Sequence, residues 1–219
     1  MDEKQQVGRA DGDSLSRFGN IVLTGVSASG KSSVGRQLAK LLGLGFMDLD
    51  DLVEKSFGKP IREIFSDEGE DVFRARERDL LRSIQGIRSH VVAVGGGSLL
   101  SSEAIDLARK IGAVIWLQSS PTEIARRLFK RVSEMEKRPL FRDLLAEENH
   151  EARKDLIKIR VEKMLDERRP WFEKSDIILD GSYVTPEMAA QHLKDILHDS
   201  GVLRNQKRIF ESWSSSRKV

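Results

Sequence analysis

Apolar residues in this chain come in five short bursts, Asn20 to Thr24, Leu44 to Asp48, Val91 to Val94, Ala113 to Gln118 and Asp176 to Asp180. Bursts this brief, bounded by polar or glycine-rich sequence, predict strands buried on both faces. Between them the apolar positions change to helical spacing, as at Val34, Leu38, Leu41 and Leu42. Alternation of the two patterns predicts an α/β layer, with parallel strands joined by right-handed crossovers. Two helix starts are written in capping residues. Ser120, Pro121 and Glu123 form a capping box with proline at N1, and Thr185 with Pro186 opens a last helix whose apolar face is Met188, Ala189, Leu193, Ile196 and Leu197. Polar ends over 1–18 and 200–219 read as flexible tails around a single unit, 19–199. The span from Ser133 to Arg169 departs from the pattern, being crowded with charge and poor in strand formers. It reads as a solvated helical pair, or as the place where a mobile lid would sit.

Composition narrows the classes. The chain has 219 residues, 39% of them hydrophobic, enough to close one core. Lys and Arg total 37 against 35 Asp and Glu, so the net charge of +2 gives no global reason to expect a nucleic-acid or membrane partner. Cysteine is absent, which removes disulfides, thiolate nucleophiles and Cys-based zinc sites, and suits a reducing compartment. The four histidines are scattered without metal-ligand spacing. No stretch approaches the roughly 20 apolar residues of a membrane span, and the N-terminus is too acidic for a signal peptide. A soluble, cytoplasmic protein is expected.

Chemistry concentrates where strands end. Gly25 to Ser32 reads GVSASGKS and fits Gly-x-x-x-x-Gly-Lys-Ser without a mismatch, between an apolar burst and an amphipathic helix. That context predicts a P-loop, in which backbone N–H groups from Gly25, Ser27, Ala28, Ser29, Gly30, Lys31, Ser32 and Ser33 surround a polyphosphate. Lys31 would reach the β and γ phosphates and Ser32 would ligate Mg²⁺. Asp48 and Asp50 end the second burst, at the strand edge where open α/β sheets bind ligands, although Asp48 also reads as a helix N-terminal acid. Arg74 and Glu77 share a helix face by their i, i+3 spacing. Gly95, Gly96 and Gly97 follow the third burst and would leave backbone bare for a substrate. Arg138, in RPL, and Arg168, in RRPWF, stand out from the charged span.

Taken in order, the P-loop, FMDLD, the IREIF to FRARE segment, GGG, RPL and RRPWF resemble the motifs of the shikimate kinase family over Ile21 to Leu197. The resemblance implies a three-layer P-loop kinase sandwich with a five-stranded parallel sheet ordered 2-3-1-4-5, a mobile lid over about 133–169, and ATP-dependent phosphorylation of the 3-hydroxyl of shikimate by a cytoplasmic monomer. Carried over by motif, Arg74 and Arg168 would bind the acceptor's carboxylate and Asp50 its hydroxyls. Asp48 would lie near Mg²⁺, Arg138 would close on the transferred phosphoryl group, Arg127 would pack on adenine, and Glu77 would orient Arg74. Three features depart from the family. The intervals around Arg138 are long, Phe172 replaces a tyrosine, and the VSAS interior of the P-loop is similar to that of gluconate kinases. A kinase for gluconate or another small hydroxy acid, and a non-catalytic ligand-sensing or scaffold domain, are the alternatives.

Overall fold

The computed structural model describes residues 19–130, 135, 139–180 and 185–200. Arg138, nearly all of both expected tails and part of the 133–169 segment lie outside these described residues. Five parallel strands form one sheet, β1 (Ile21–Thr24), β2 (Gly45–Asp48), β3 (His90–Ala93), β4 (Ala113–Gln118) and β5 (Ile177–Asp180), in the order β2-β3-β1-β4-β5. Each predicted burst coincides with a strand, with boundaries displaced by no more than a residue at either end. The helices are α1 (Lys31–Leu42), α2 (Leu49–Phe57), α3 (Ile61–Asp67), α4 (Glu70–Ser83), α5 (Ser102–Ile111), α6 (Pro121–Phe129), the single turn α7 (Pro139–Arg142), α8 (His150–Phe172) and α9 (Pro186–Asp199). No described helix is long and apolar enough to cross a membrane.

Because successive strand residues face opposite sides, each burst feeds two cores. Ile21 and Leu23, with Val91, Ile115, Ile177 and Leu179, pack on α1 and α9. Val22, Val92 and Val114 turn the other way, against Leu49, Leu81 and the apolar face of α5. Trp116 extends that second face and anchors a further cluster with α6 and α8, stacking on Phe172 at a centroid distance of 5.3 Å. A fourth, small cluster of Val53, Ile64 and Phe73 holds α2, α3 and α4 together.

The charged span is not a solvated pair in its described part. Ile157, Val161, Met164, Leu165 and Phe172 form a buried seam along α8, and Met135, Phe141 and Leu144 pack into the same cluster. Charge at the other helical positions hid this seam in the sequence, since a stripe of about one residue in three suffices to dock a helix. Asn20 is a second departure. It is fully buried, and its side chain donates to the carbonyls of Ile87 (2.6 Å) and Ile111 (3.0 Å) and accepts from the N–H of His90 (3.0 Å). One amide thereby ties the entry of β1 to the chain before β3 and β4.

Candidate active site

The loop between β1 and α1 owes its shape to backbone that side chains rarely adopt. Gly25 and Gly30 have φ of 145° and 99°, and Ala28 joins them at 62° despite its Cβ. A Cβ at Gly25 would lie 2.7 Å from the Leu117 carbonyl oxygen, so glycine is also required there by close approach. Gly30 supplies no side-chain cap to α1, and the first N–H groups of that helix are left for a ligand. Lys31 reaches back across the loop, with Nζ donating to the carbonyls of Gly25 (2.8 Å) and Val26 (3.0 Å). This curl suits a phosphate cradle.

Asp48 does two things at once. Its Oδ1 accepts from the N–H of Asp50 at 3.1 Å and caps α2, while its Oδ2 accepts from Ser32 Oγ at 2.6 Å. Asp48 therefore caps α2 and still has an oxygen turned to Ser32. Ser32 and Asp48 form a hard-oxygen pair of the kind Mg²⁺ selects. Among the described residues no group of three or more His, Asp or Glu could hold a metal alone, so a Mg²⁺ here would complete its shell with phosphate and water.

Two hollows meet at this pair. One, of about 430 Å³, lies between the loop, α6 and the start of α9, and is lined by Ser33, Arg126, Arg127, Lys130 and Pro186. The other, of about 280 Å³, is lined by Ser27, Phe73, Arg74, Glu77, the glycine triplet and Arg168. Ser32, Asp48 and Asp50 line both. Within the loop the expected residues divide. Ala28, Ser29, Gly30 and Ser33 face the larger hollow, Ser27 faces the smaller, and Gly25 lies buried beneath the loop. The Ser29 side chain is buried, leaving its backbone to face a ligand.

In the smaller hollow Arg74 and Arg168 converge on the turn after β3. Arg168 Nη1 donates to the Gly96 carbonyl at 3.1 Å. Arg74 Nη1 donates to Glu77 Oε2 at 2.5 Å, so Glu77 orients Arg74 as its spacing predicts. Glu77 is only 2% exposed and its other oxygen accepts from Ser98 Oγ at 2.5 Å. The two arginines differ electrostatically. Burial works against the Arg74 charge, but Glu77 and then Glu70 more than offset it, and the group holds its proton more tightly than usual. Burial, and after it the like charge of Arg74, lowers the Arg168 value. The site thus carries one well-compensated cation and one that Glu167 and the more distant acids compensate only in part, an arrangement that favours an anion.

The glycine triplet lines the smaller hollow and also serves the packing around it. The space that side chains would take is already filled by the protein. A Cβ on Gly97 would lie 2.7 Å from Arg74 Cζ, one on Gly96 2.9 Å from the Gly25 carbonyl oxygen, and one on Gly95 2.9 Å from Glu77 Oε1 and 3.2 Å from Asp50 Oδ1. The triplet lets the loop, the arginine and the acids close up on one another.

Glu123, a residue singled out only as a capping signal, grips both neighbouring arginines. Its carboxylate accepts from Arg126 and Arg127 at 2.7 Å, which, with Arg126 foremost, holds it down at about 2. Arg127 in turn donates to the carbonyls of Ala28 and Ser29 at 3.4 and 3.1 Å, which braces the loop. The i+3 and i+4 spacing from Glu123 was the available sequence signal. Ser98 carried no such signal. Phe172, in the tyrosine's place, points into the core.

Residues 27–198 match the profile of the shikimate kinase family. The chain belongs to that family. The shikimate kinase of Chlorobium limicola is 39% identical over 157 residues, covering 72% of this chain and 75% of the relative, and that of Thermodesulfovibrio yellowstonii is 37% identical over 174 residues, covering 80% and 92%. Among solved structures, the shikimate kinase of Acinetobacter baumannii in complex with shikimate superposes with a TM-score of 0.71 at 28% identity, covering 86% of this chain and 97% of that one. A shikimate kinase from Bacteroides thetaiotaomicron gives the same TM-score at 27% identity. The protein is accordingly an enzyme, a P-loop kinase of the shikimate kinase family, with the strand order the motifs implied.

Proposed function

We propose that the protein transfers the γ-phosphoryl group of ATP to the 3-hydroxyl of shikimate, giving shikimate 3-phosphate and ADP. One observation carries this reading: a hollow lined by the glycine-rich loop and a cationic hollow meet at Ser32, Asp48 and Asp50. In it the larger hollow takes the nucleotide, with Arg127 beside the base, and the smaller takes an acid whose carboxylate lies between Arg74 and Arg168. Asp50, lining both, holds the reacting hydroxyl and accepts its proton as the oxygen bonds to phosphorus and the bond to the ADP oxygen breaks. Lys31 neutralises charge on the phosphates, and Arg138, by resemblance, adds a second cation. Mg²⁺, when bound, draws charge from the phosphate oxygens, and Ser32 with Asp48 would hold it.

The experiment is a parallel assay of purified protein with ATP and Mg²⁺ against shikimate, quinate, gluconate and no acceptor. Shikimate should give the highest kcat/KM. A site built to hydrogen-bond a given set of hydroxyls can discriminate by about 10⁴ or more, so gluconate should be poor. Gluconate outrunning shikimate would replace the reading with a polyol-acid kinase, and ATP and shikimate binding without turnover would replace it with a sensor.

A further inference from the structure

Each nitrogen of the Arg74 guanidinium donates to a carboxylate. Nη1 is committed to Glu77, while Nε and Nη2 both donate to Glu70 Oε1, at 3.2 and 2.9 Å. The two carboxylates are unequal. Glu77 is buried and pinned by Ser98, whereas Glu70 is the first residue of α4, 54% exposed, and hydrogen-bonds through its side chain to Arg74 alone among the described residues. Glu70 also serves two donors with one oxygen. A carboxylate that presents both oxygens to the same Nε and Nη2 edge makes the stronger, forked pair.

We propose that Glu70 is a placeholder for the acceptor's carboxylate, occupying the outer edge of Arg74 in the free protein and yielding it to the incoming acid. The inference rests on the reading above, in which Arg74 receives that acid. Of the acids around the two guanidiniums, Glu77 is fixed between Arg74 and Ser98 and Glu167 favours the Arg168 charge, so Glu70 is the exposed counter-ion of Arg74 that an incoming acid could replace. Glu70 thus sets the threshold an acceptor must exceed. An acid can displace it, and a neutral hydroxyl cannot.

Calorimetric titration of shikimate into the full-length protein tests this with Glu70→Gln, Glu70→Asp and Arg74→Ala. Glutamine removes the charge, and aspartate keeps it but is one methylene too short to hold both donors. Both Glu70 variants should bind shikimate about two- to fivefold tighter, the size of an exposed ion pair no longer competing. Weaker binding in either would show that Glu70 orients Arg74 and overturn the proposal. Tightening in Glu70→Gln with wild-type affinity in Glu70→Asp would overturn it in favour of a long-range field effect. Equal tightening towards ADP would mark a general change and overturn it as well. Arg74→Ala binding shikimate as well as wild type would overturn the functional reading itself, independently of either Glu70 variant.

Discussion

Replacing Arg168 with alanine should separate binding from stability. Arg168 is drawn into the protein by α8, where burial and the neighbouring Arg74 both disfavour its charge. Its folded value lies below the ordinary one, so the cation costs folding free energy at neutral pH, and removing it relieves that cost. Against this stand one hydrogen bond to Gly96 and the packing of the side-chain stem. The net change in unfolding free energy should be small, within about 1 kcal/mol either way. Binding of the acid should suffer far more. Truncating one partner of a desolvated charge pair costs about 2 to 5 kcal/mol, and with Arg74 still in place the lower half of that range applies. That corresponds to a loss of roughly 30- to 300-fold in shikimate affinity. A coupled ADP-release assay with shikimate varied, ATP varied in a second series, and thermal unfolding of the same preparation supply the three readouts. The reasoning is refuted if the shikimate KM stays within about twofold of wild type, or if the loss falls on ATP instead.

Lys31→Met should lower kcat by about two or more powers of ten, as for loss of a preorganised charge stabiliser, and near-normal turnover would remove the loop from the chemistry. Asn20→Ala strands the Ile111 carbonyl and the His90 N–H in the interior, while Ile87 keeps its bond from Arg88, so urea unfolding should show a loss of about 3 kcal/mol with the specific activity of the folded fraction retained; a loss below about 1 kcal/mol would mean that water replaces the amide. Glu123 is held at about 2 against an ordinary 4.5, so its contribution to stability is complete above pH 4.5 and is lost as the pH falls towards 2. The stability difference between wild type and Glu123→Gln should accordingly be constant near neutrality and close through that window; a difference that persists unchanged to pH 2 would rule out the carboxylate as its source.

What could be read in advance was chemistry confined to a few neighbouring residues. Ser120 and Thr185 do cap their helices, accepting from the N–H groups of Glu123 and Met188, because capping depends only on the first turn. The strands were legible since burial on both faces of β1, β3 and β4 leaves few polar positions, whereas β2 is only half-buried and β5 ends exposed, and the loop after β1 was legible because phosphate binding prescribes its spacing. What escaped was decided by distant partners. Asn20 sits within an apolar burst and gives no hint that Ile87, His90 and Ile111 will meet it. Ala28 takes a left-handed conformation that its sequence does not favour, imposed by the loop around it. The glycine triplet gave no hint that its close neighbours would be Arg74, the loop and the acids, placed there by α4 and by the order of strands.

Arg74 and Arg168 stand on different foundations. Arg74 adjoins Phe73, which belongs to the small cluster of α2 to α4, and Arg168 lies between Leu165 and Phe172, which belong to the cluster around Trp116. A carboxylate held by both would act as a rivet between two plates that otherwise meet across the sheet edge, fastening them without any protein bond of its own. Such a ligand would stiffen regions far larger than itself. Amide exchange in α4 and α8 should slow together when the acid binds, and only one of the two should respond to an acid that reaches a single arginine.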